Sequence, residues 1–135
     1  MRASHIDELL DLARSRLHRV EVSELDAELA NGALLVDIRP ESTRRDEGAM
    51  PGAVVVDRLV LEWRLDPTSE HCLPEARDGR RVILMCNDGY ASSLSAVTLL
   101  DLGLADATDL VDGYRAWRRA HDDDGPARRP TDEPA

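Results

Sequence analysis

The sequence predicts an α/β fold, a three-layer sandwich in which a central parallel sheet of about five strands carries helices on both faces. Three observations predict it. Ala33–Ile38 and Val82–Met85 are apolar runs with almost no polar alternation, as expected of strands covered on both faces. Strand-like and helix-like segments alternate along the chain, the pattern that parallel crossover connections impose. Finally, 135 residues suffice for one domain with a substantial core that needs no disulfide staples.

Residues 1–20 read as an N-terminal amphipathic helix, because Ile6, Leu9, Leu10, Ala13 and Leu17 recur at helical spacing. The spacing suits packing against the domain or a dimer contact. Ser23 is the expected cap of a short helix over Glu24–Ala30, stopped by Asn31-Gly32, which tolerate left-handed geometry. The strand Ala33–Ile38 follows. Pro40–Met50 is polar and highly charged and reads as an irregular crossover rather than a helix.

Ala53–Val56, after the turn residues Pro51-Gly52, is the next strand. Val60, Leu61 and Trp63 suggest a short helix with Trp63 in the core, closed before Asp66-Pro67 because a residue preceding proline avoids helical geometry. Asp66–Gly79 is expected to be loop with at most a turn of helix. Beyond the strand at Val82, a helix runs from about Ser92 to Leu102 with Gly103 at its C-terminal stop, capped by Ser92 or Ser93. Thr108–Val111 makes a further strand, and Tyr114–Ala120 a helix introduced by Asp112-Gly113. From His121 the tail is rich in Asp, Pro and Arg, and disorder is expected over 121–135.

Composition excludes several functions. A net charge of −10 disfavours nucleic acid, whose phosphates require a clustered basic surface. All 17 basic residues are Arg, so there is no P-loop lysine, Schiff base or lysine general base. Phe is absent and only two Trp and two Tyr are present, which argues against base-stacking platforms. The first twenty residues are charged throughout and read as neither a secretory signal nor a membrane span. A cytoplasmic protein with reduced thiols is expected.

The chemistry is expected at Cys86, which ends the apolar strand just before the turn residues Asn87, Asp88 and Gly89 and the following helix. In open α/β sheets ligands bind outside the carboxyl ends of strands, where this thiol falls. Backbone N–H groups and a helix N-terminus favour an anion there, while Asp88 opposes one modestly. A buried cysteine acting as a small hydrophobe is the bland alternative. Cys72, in the loop SEHCLPE, is expected to be a solvated spare thiol, although a disulfide with Cys86 or a resolving role is conceivable. His71, Cys72 and Cys86 lack the paired spacing of a structural zinc site.

Four ordered segments resemble the rhodanese-like sulfurtransferase family over about Val22 to Ala120, consistent with a domain over 21–120. LLVDIRP at Leu34–Pro40 resembles its strand followed by Asp-x-Arg, and EGAMPGAVVV at Glu47–Val56 resembles its Gly-His-Ile-Pro-Gly-Ala segment. CNDGYASS at Cys86–Ser93 resembles the active-site loop, and DLVDGYRAW at Asp109–Trp117 the closing strand with its Gly-Gly-x-x-x-Trp helix.

The resemblance implies that Cys86 takes sulfane sulfur from a donor, thiosulfate or a persulfide, and passes it to a thiophilic acceptor through a cysteine persulfide. Backbone N–H groups of Asn87, Asp88, Gly89, Tyr90, Ala91 and Ser92 would cradle it. Asp37 and Arg39 match the family's Asp-x-Arg as scaffold, with Arg39 expected to pair with a carboxylate such as Glu47. The implied partners are a small-molecule sulfur donor and acceptor or a thiol on another protein, with no cofactor, metal, nucleic acid or membrane. A monomer or a homodimer fits equally.

Two departures stand out. The loop position that often carries Arg in thiosulfate-using members holds Ala91, and Ala49 replaces the histidine of the second segment. Arg58 or Arg64, beside Trp63, could replace the missing loop cation at the pocket mouth. A cysteine phosphatase would need Arg six residues after the nucleophile, where Ser92 stands. The remaining rival is a non-catalytic binding or redox-sensing module of the same fold.

Overall fold

The computed structural model describes residues 4–124. Four strands form one parallel sheet: β1 Leu34–Asp37, β2 Val54–Val55, β3 Val82–Met85 and β4 Thr108–Asp109, in the order β2-β1-β3-β4. The register aligns Val36 with Val54, Leu34 with Val82 and Leu84 with Asp109. Four strands rather than about five are present among the described residues. A single parallel bridge from Val20 to Leu110 extends the β4 edge without adding a strand.

Side chains alternate across a strand, and here both sets find cover. Leu34, Val36, Val82, Leu84 and Cys86 point into one core with Leu61, Leu65, Ala96 and Leu99, whereas Leu35, Ile83 and Met85 meet Leu25, Met50, Leu110 and Tyr114 on the other face. Ile83, Leu84 and Met85 have no accessible surface. Each such side chain contributes about 1.5–3 kcal/mol of burial.

Helices complete the layers: α1 His5–Ser15, α2 Val22–Ala30, α3 Glu41–Glu47, α4 Leu61–Leu65, α5 Ala91–Asp101 and α6 Gly113–Asp124. α1 packs on α5, burying Leu10 and Ala13 but leaving Ile6 and Leu9 exposed. A capping box at Ser4 and Asp7 starts it. Short 3₁₀ turns at Arg58–Val60 and Pro74–Ala76 flank α4 and the loop before β3.

Several expectations are corrected. α2 is capped by Glu21, whose side chain and that of Glu24 form a reciprocal box, so Ser23 lies inside the helix. The expected crossover at Pro40–Met50 contains a helix, α3, which buries no residue and has Glu41 in its first turn and Arg44 and Arg45 in its last. Those charges complement the helix dipole, and Pro40 stands at the N-cap.

Trp63 is 56% exposed rather than in the core, because α4 turns Leu61 and Leu65 inward instead. Cys72 is buried in the α4–α5 core and is not solvated. α6 continues through His121 to Asp124, past the expected start of the tail. Residues 125–135 lie outside the described residues.

Candidate active site

Cys86 leaves β3 on the same face as Val82 and Leu84, at the bottom of a cavity of about 570 Å³ lined also by Asn87, Asp88, Tyr90, Ala91, Asp112 and Arg119. The chain then curls back over the sulfur. Gly89 and Ser92 donate their backbone N–H groups to Sγ at 3.2 and 3.3 Å, and the thiol reaches Ser92 Oγ at 3.3 Å. Of the cradle residues inferred from the sequence, these two supply N–H groups to sulfur.

Turning the loop this tightly requires glycine at two facing points. Gly89 has φ +82°, and a Cβ on it would lie 2.6 Å from the Asp112 backbone nitrogen. Gly113 has φ +66°, and its Cβ would lie 2.5 Å from the Cys86 carbonyl oxygen. The loop and the start of α6 therefore touch backbone to backbone. Tyr114 N–H donates to the Cys86 carbonyl at 2.9 Å and Arg115 N–H to that of Asn87 at 3.0 Å. Asp112, where the family motif has glycine, adopts φ 60°.

Behind the loop lies a buried carboxylate. Asp109, with no accessible surface, accepts from both Ser92 and Ser93 hydroxyls at 2.7 Å and from Arg19 Nε at 2.8 Å. The two serines are thus committed to Asp109, and α5 starts instead after Tyr90. Arg14 and Arg19 also donate to the Gly89 carbonyl at 2.7 and 3.1 Å, and Arg14 lies over the Tyr90 ring at 5.4 Å. Sequence reasoning gave Arg14, Arg19 and Asp109 no role. Arg14 on the charged helix α1 and Arg19 just beyond it look solvated until the partner surface is known, and Asp109 closes a strand where a polar residue reads as a boundary.

Arg39 is buried against Asp37 rather than Glu47, with Nη2–Oδ2 at 2.8 Å and Nε–Oδ1 at 3.0 Å. Its remaining donors reach Asn87 Oδ1 and the Gly48 carbonyl, and its guanidinium sits 4.1 Å from the Tyr114 ring centre. The pair thereby ties the end of β1 to the loop and to α6. Glu47 pairs with Arg115 instead, at 2.9 Å, and Arg115 also reaches Asp88 at 3.1 Å. The hydrogen bond from Arg115 holds the Glu47 carboxyl below its usual range, and Glu47 first, then Asp88, raise Arg115. Asp88 therefore turns its charge toward a guanidinium.

The three residues considered for the pocket mouth lie elsewhere. Arg58 donates to Ser95 Oγ at 2.8 Å and pairs with Glu62, Arg64 donates to the His71 carbonyl, and neither these nor Trp63 lines the cavity. The cation that does line it is Arg119, which the sequence reading passed over.

Known proteins are similar to this chain in sequence and in fold. Residues 21–120 match the rhodanese-like domain family. The chain belongs to that family. Two adenylyltransferase and sulfurtransferase proteins of Zea mays are each 31% identical over 93 residues, 69% of this chain but 19% of their own length. This rhodanese-like domain thus spans about a fifth of those relatives.

Among solved structures, a protein of unknown function from Rhodopseudomonas palustris, described as a possible tyrosine phosphatase, superposes with a TM-score of 0.78. It has 28% identity and covers 95% of this chain and 97% of that one. A rhodanese homologue from Thermus thermophilus reaches 0.56 at 30% identity, covering 74% of this chain and all of that one. Among the described residues no helix is long and apolar enough to cross a membrane.

Proposed function

We propose that this domain is a sulfurtransferase that carries sulfane sulfur on Cys86. The observation that carries the reading is the pair of backbone N–H groups on Sγ, from Gly89 and Ser92, at the floor of an open cavity. Fixed donors of this kind stabilise negative charge on sulfur without reorganising. In the first half-reaction the Cys86 thiolate attacks the donor's outer sulfur and the donor's bond to that sulfur breaks. In the second, an acceptor nucleophile removes the sulfur and regenerates the thiolate. Neither half needs a general base beside the cysteine. A reduced thiol is the resting state, in keeping with a cytoplasmic location.

The description of the Rhodopseudomonas palustris neighbour raises phosphoryl transfer as a second reading. Loop positions 87–92 offer no guanidinium to clamp a phosphoryl dianion, since Ala91 and Ser92 stand where a cation is needed. Intact-protein mass after incubation with thiosulfate, and separately with a low-molecular-weight persulfide, tests the proposal. A gain of one sulfur, absent in Cys86→Ser, is the expected result. No adduct from either donor refutes it, and turnover of p-nitrophenyl phosphate would favour the phosphatase instead.

A further inference from the structure

Two charges in the cavity have no side-chain partner among the described residues. Of the four charged or strongly polar side chains at its wall, Asp88 is engaged by Arg115 and Asn87 by Arg39. The other two, Asp112 and Arg119, have no side-chain hydrogen bond or ion pair among the described residues, with each other or with any neighbour. Both are exposed and both face the space above Cys86.

Arg119 lines the cavity from α6, and Asp112 from the turn just before that helix, where φ of 60° at Asp112 and 66° at Gly113 take the backbone off the helical path. Side chains on a helix lean toward its N-terminus, which tilts the guanidinium back toward the carboxylate. The cavity that Cys86 lines therefore carries one unpaired anion and one unpaired cation, and the space they share is the gap a ligand would fill.

We propose that this gap recognises the zwitterion of an α-amino-acid thiol, with Asp112 taking the ammonium and Arg119 the carboxylate of cysteine or its persulfide. The proposal rests on the reading that Cys86 carries sulfane sulfur, and names the class of molecule that brings it. In such a ligand both charges sit on one carbon, a single methylene from sulfur, so the two wall residues and Sγ are addressed together. Thiosulfate fits less well. It brings no cation for Asp112, it meets the carboxylates of Asp88 and Asp112, and it leaves most of a cavity of about 570 Å³ unfilled.

The transfer balances without any co-reactant. The Cys86 thiolate, its proton already lost to solvent, attacks the outer sulfur of R–S–SH. A new S–S bond forms on Cys86 while the donor's S–S bond breaks, and its electron pair leaves on R–S⁻, which takes up a proton. One persulfide is consumed and one is formed, so nothing is oxidised or reduced overall.

A matrix of four persulfide donors against three variants tests it. Cysteine persulfide bears both charges, mercaptopropionate persulfide the carboxylate alone, cysteamine persulfide the ammonium alone, and mercaptoethanol persulfide neither. Asp112→Asn keeps a residue tolerant of positive φ, Arg119→Ala removes the guanidinium, and Arg45→Ala, exposed on α3, controls for overall charge.

Asp112→Asn is expected to lower kcat/KM about tenfold for the two ammonium donors only. Arg119→Ala should do the same for the two carboxylate donors only. High salt weakens both effects, since the groups are exposed. Losses spread evenly over all four donors, or absent for cysteine persulfide, overturn the proposal while leaving sulfur transfer by Cys86 intact. If the native protein takes sulfur from none of the four, this proposal falls, and the function proposed above falls with it only if thiosulfate also leaves no sulfur on Cys86.

Discussion

Gly113→Ala is expected to be among the most damaging single-methyl additions to this protein, and its cost can be worked from the backbone. At φ +66° an L-residue pays about 1–2 kcal/mol for left-handed geometry. Some of this is offset, by about 0.4–1 kcal/mol, because alanine restricts the unfolded chain. The added Cβ would lie 2.5 Å from the Cys86 carbonyl oxygen and 2.7 Å from the Asn87 carbonyl carbon and oxygen. These are backbone atoms held by Tyr114 and Arg115 N–H groups, so they cannot swing aside as a side-chain tip would.

Overpacking of that kind costs a further 1–3 kcal/mol or so. The sum is a loss of about 2–4 kcal/mol in urea denaturation, with loop displacement showing as slower sulfur loading of Cys86. Gly32→Ala is the control. Gly32 has φ +100° and nothing within 4 Å of the new Cβ, so it carries the conformational cost alone, about 1 kcal/mol. Equal losses at the two positions would refute the claim that backbone contact between loop and α6 sets the cost.

Two further outcomes are expected. Asp37→Ala strands the Arg39 guanidinium, whose own side chain is 1% exposed, and should destabilise by about 3–5 kcal/mol in the same assay; a loss under about 1 kcal/mol would mean that Asn87 and the Gly48 carbonyl suffice to hold it. Stability should also fall in acid. Glu47 is held below its usual 4.5 by the Arg115 hydrogen bond, and Glu62 too is lowered, the burial that pushes it up being outweighed by bonds from Thr98 and Arg58. A depressed carboxylate contributes stability that is complete above its unfolded value and is lost as pH drops through its folded one, so the decline begins below about pH 4.5. Arg115→Ala removes the Glu47 share and should flatten that decline in urea melts taken from pH 5 down to pH 3; an unchanged slope would contradict the assignment.

Much of the fold was legible because burial leaves a pattern in single strands. VILM and LLV have no polar alternation, and the cysteine after VILM could be assigned to the carboxyl edge of a parallel sheet from that alone. What stayed hidden depended on partners distant in sequence. α3 has no apolar stripe, so periodicity had nothing to detect, although Glu41 and the Arg44–Arg45 pair at opposite ends were a readable dipole pattern.

Glu21 and Glu24 also carried the spacing of a capping box that Ser23 obscured. Trp63 was expected in the core because aromatic side chains usually bury more than leucine, yet only five residues of α4 exist to choose from and Leu61 and Leu65 occupy the inner face. At the site, Cys86 was identifiable and its supporting arginines were not. Arg14 and Arg19 find Gly89 across some seventy residues of chain, a separation over which no local pattern operates.

Those two arginines precede residue 21, where the match to the family begins. The part of the chain that the family match covers is therefore smaller than the part that shapes the thiol loop. A fragment trimmed to the start of the family match would retain every strand of the sheet and both glycine contacts, yet Asp109 would keep its two hydroxyl donors and lose its guanidinium, and the Gly89 carbonyl would lose both its arginine donors. The family match starts at residue 21, and the reach of Arg14 and Arg19 extends the support of the thiol loop upstream of it.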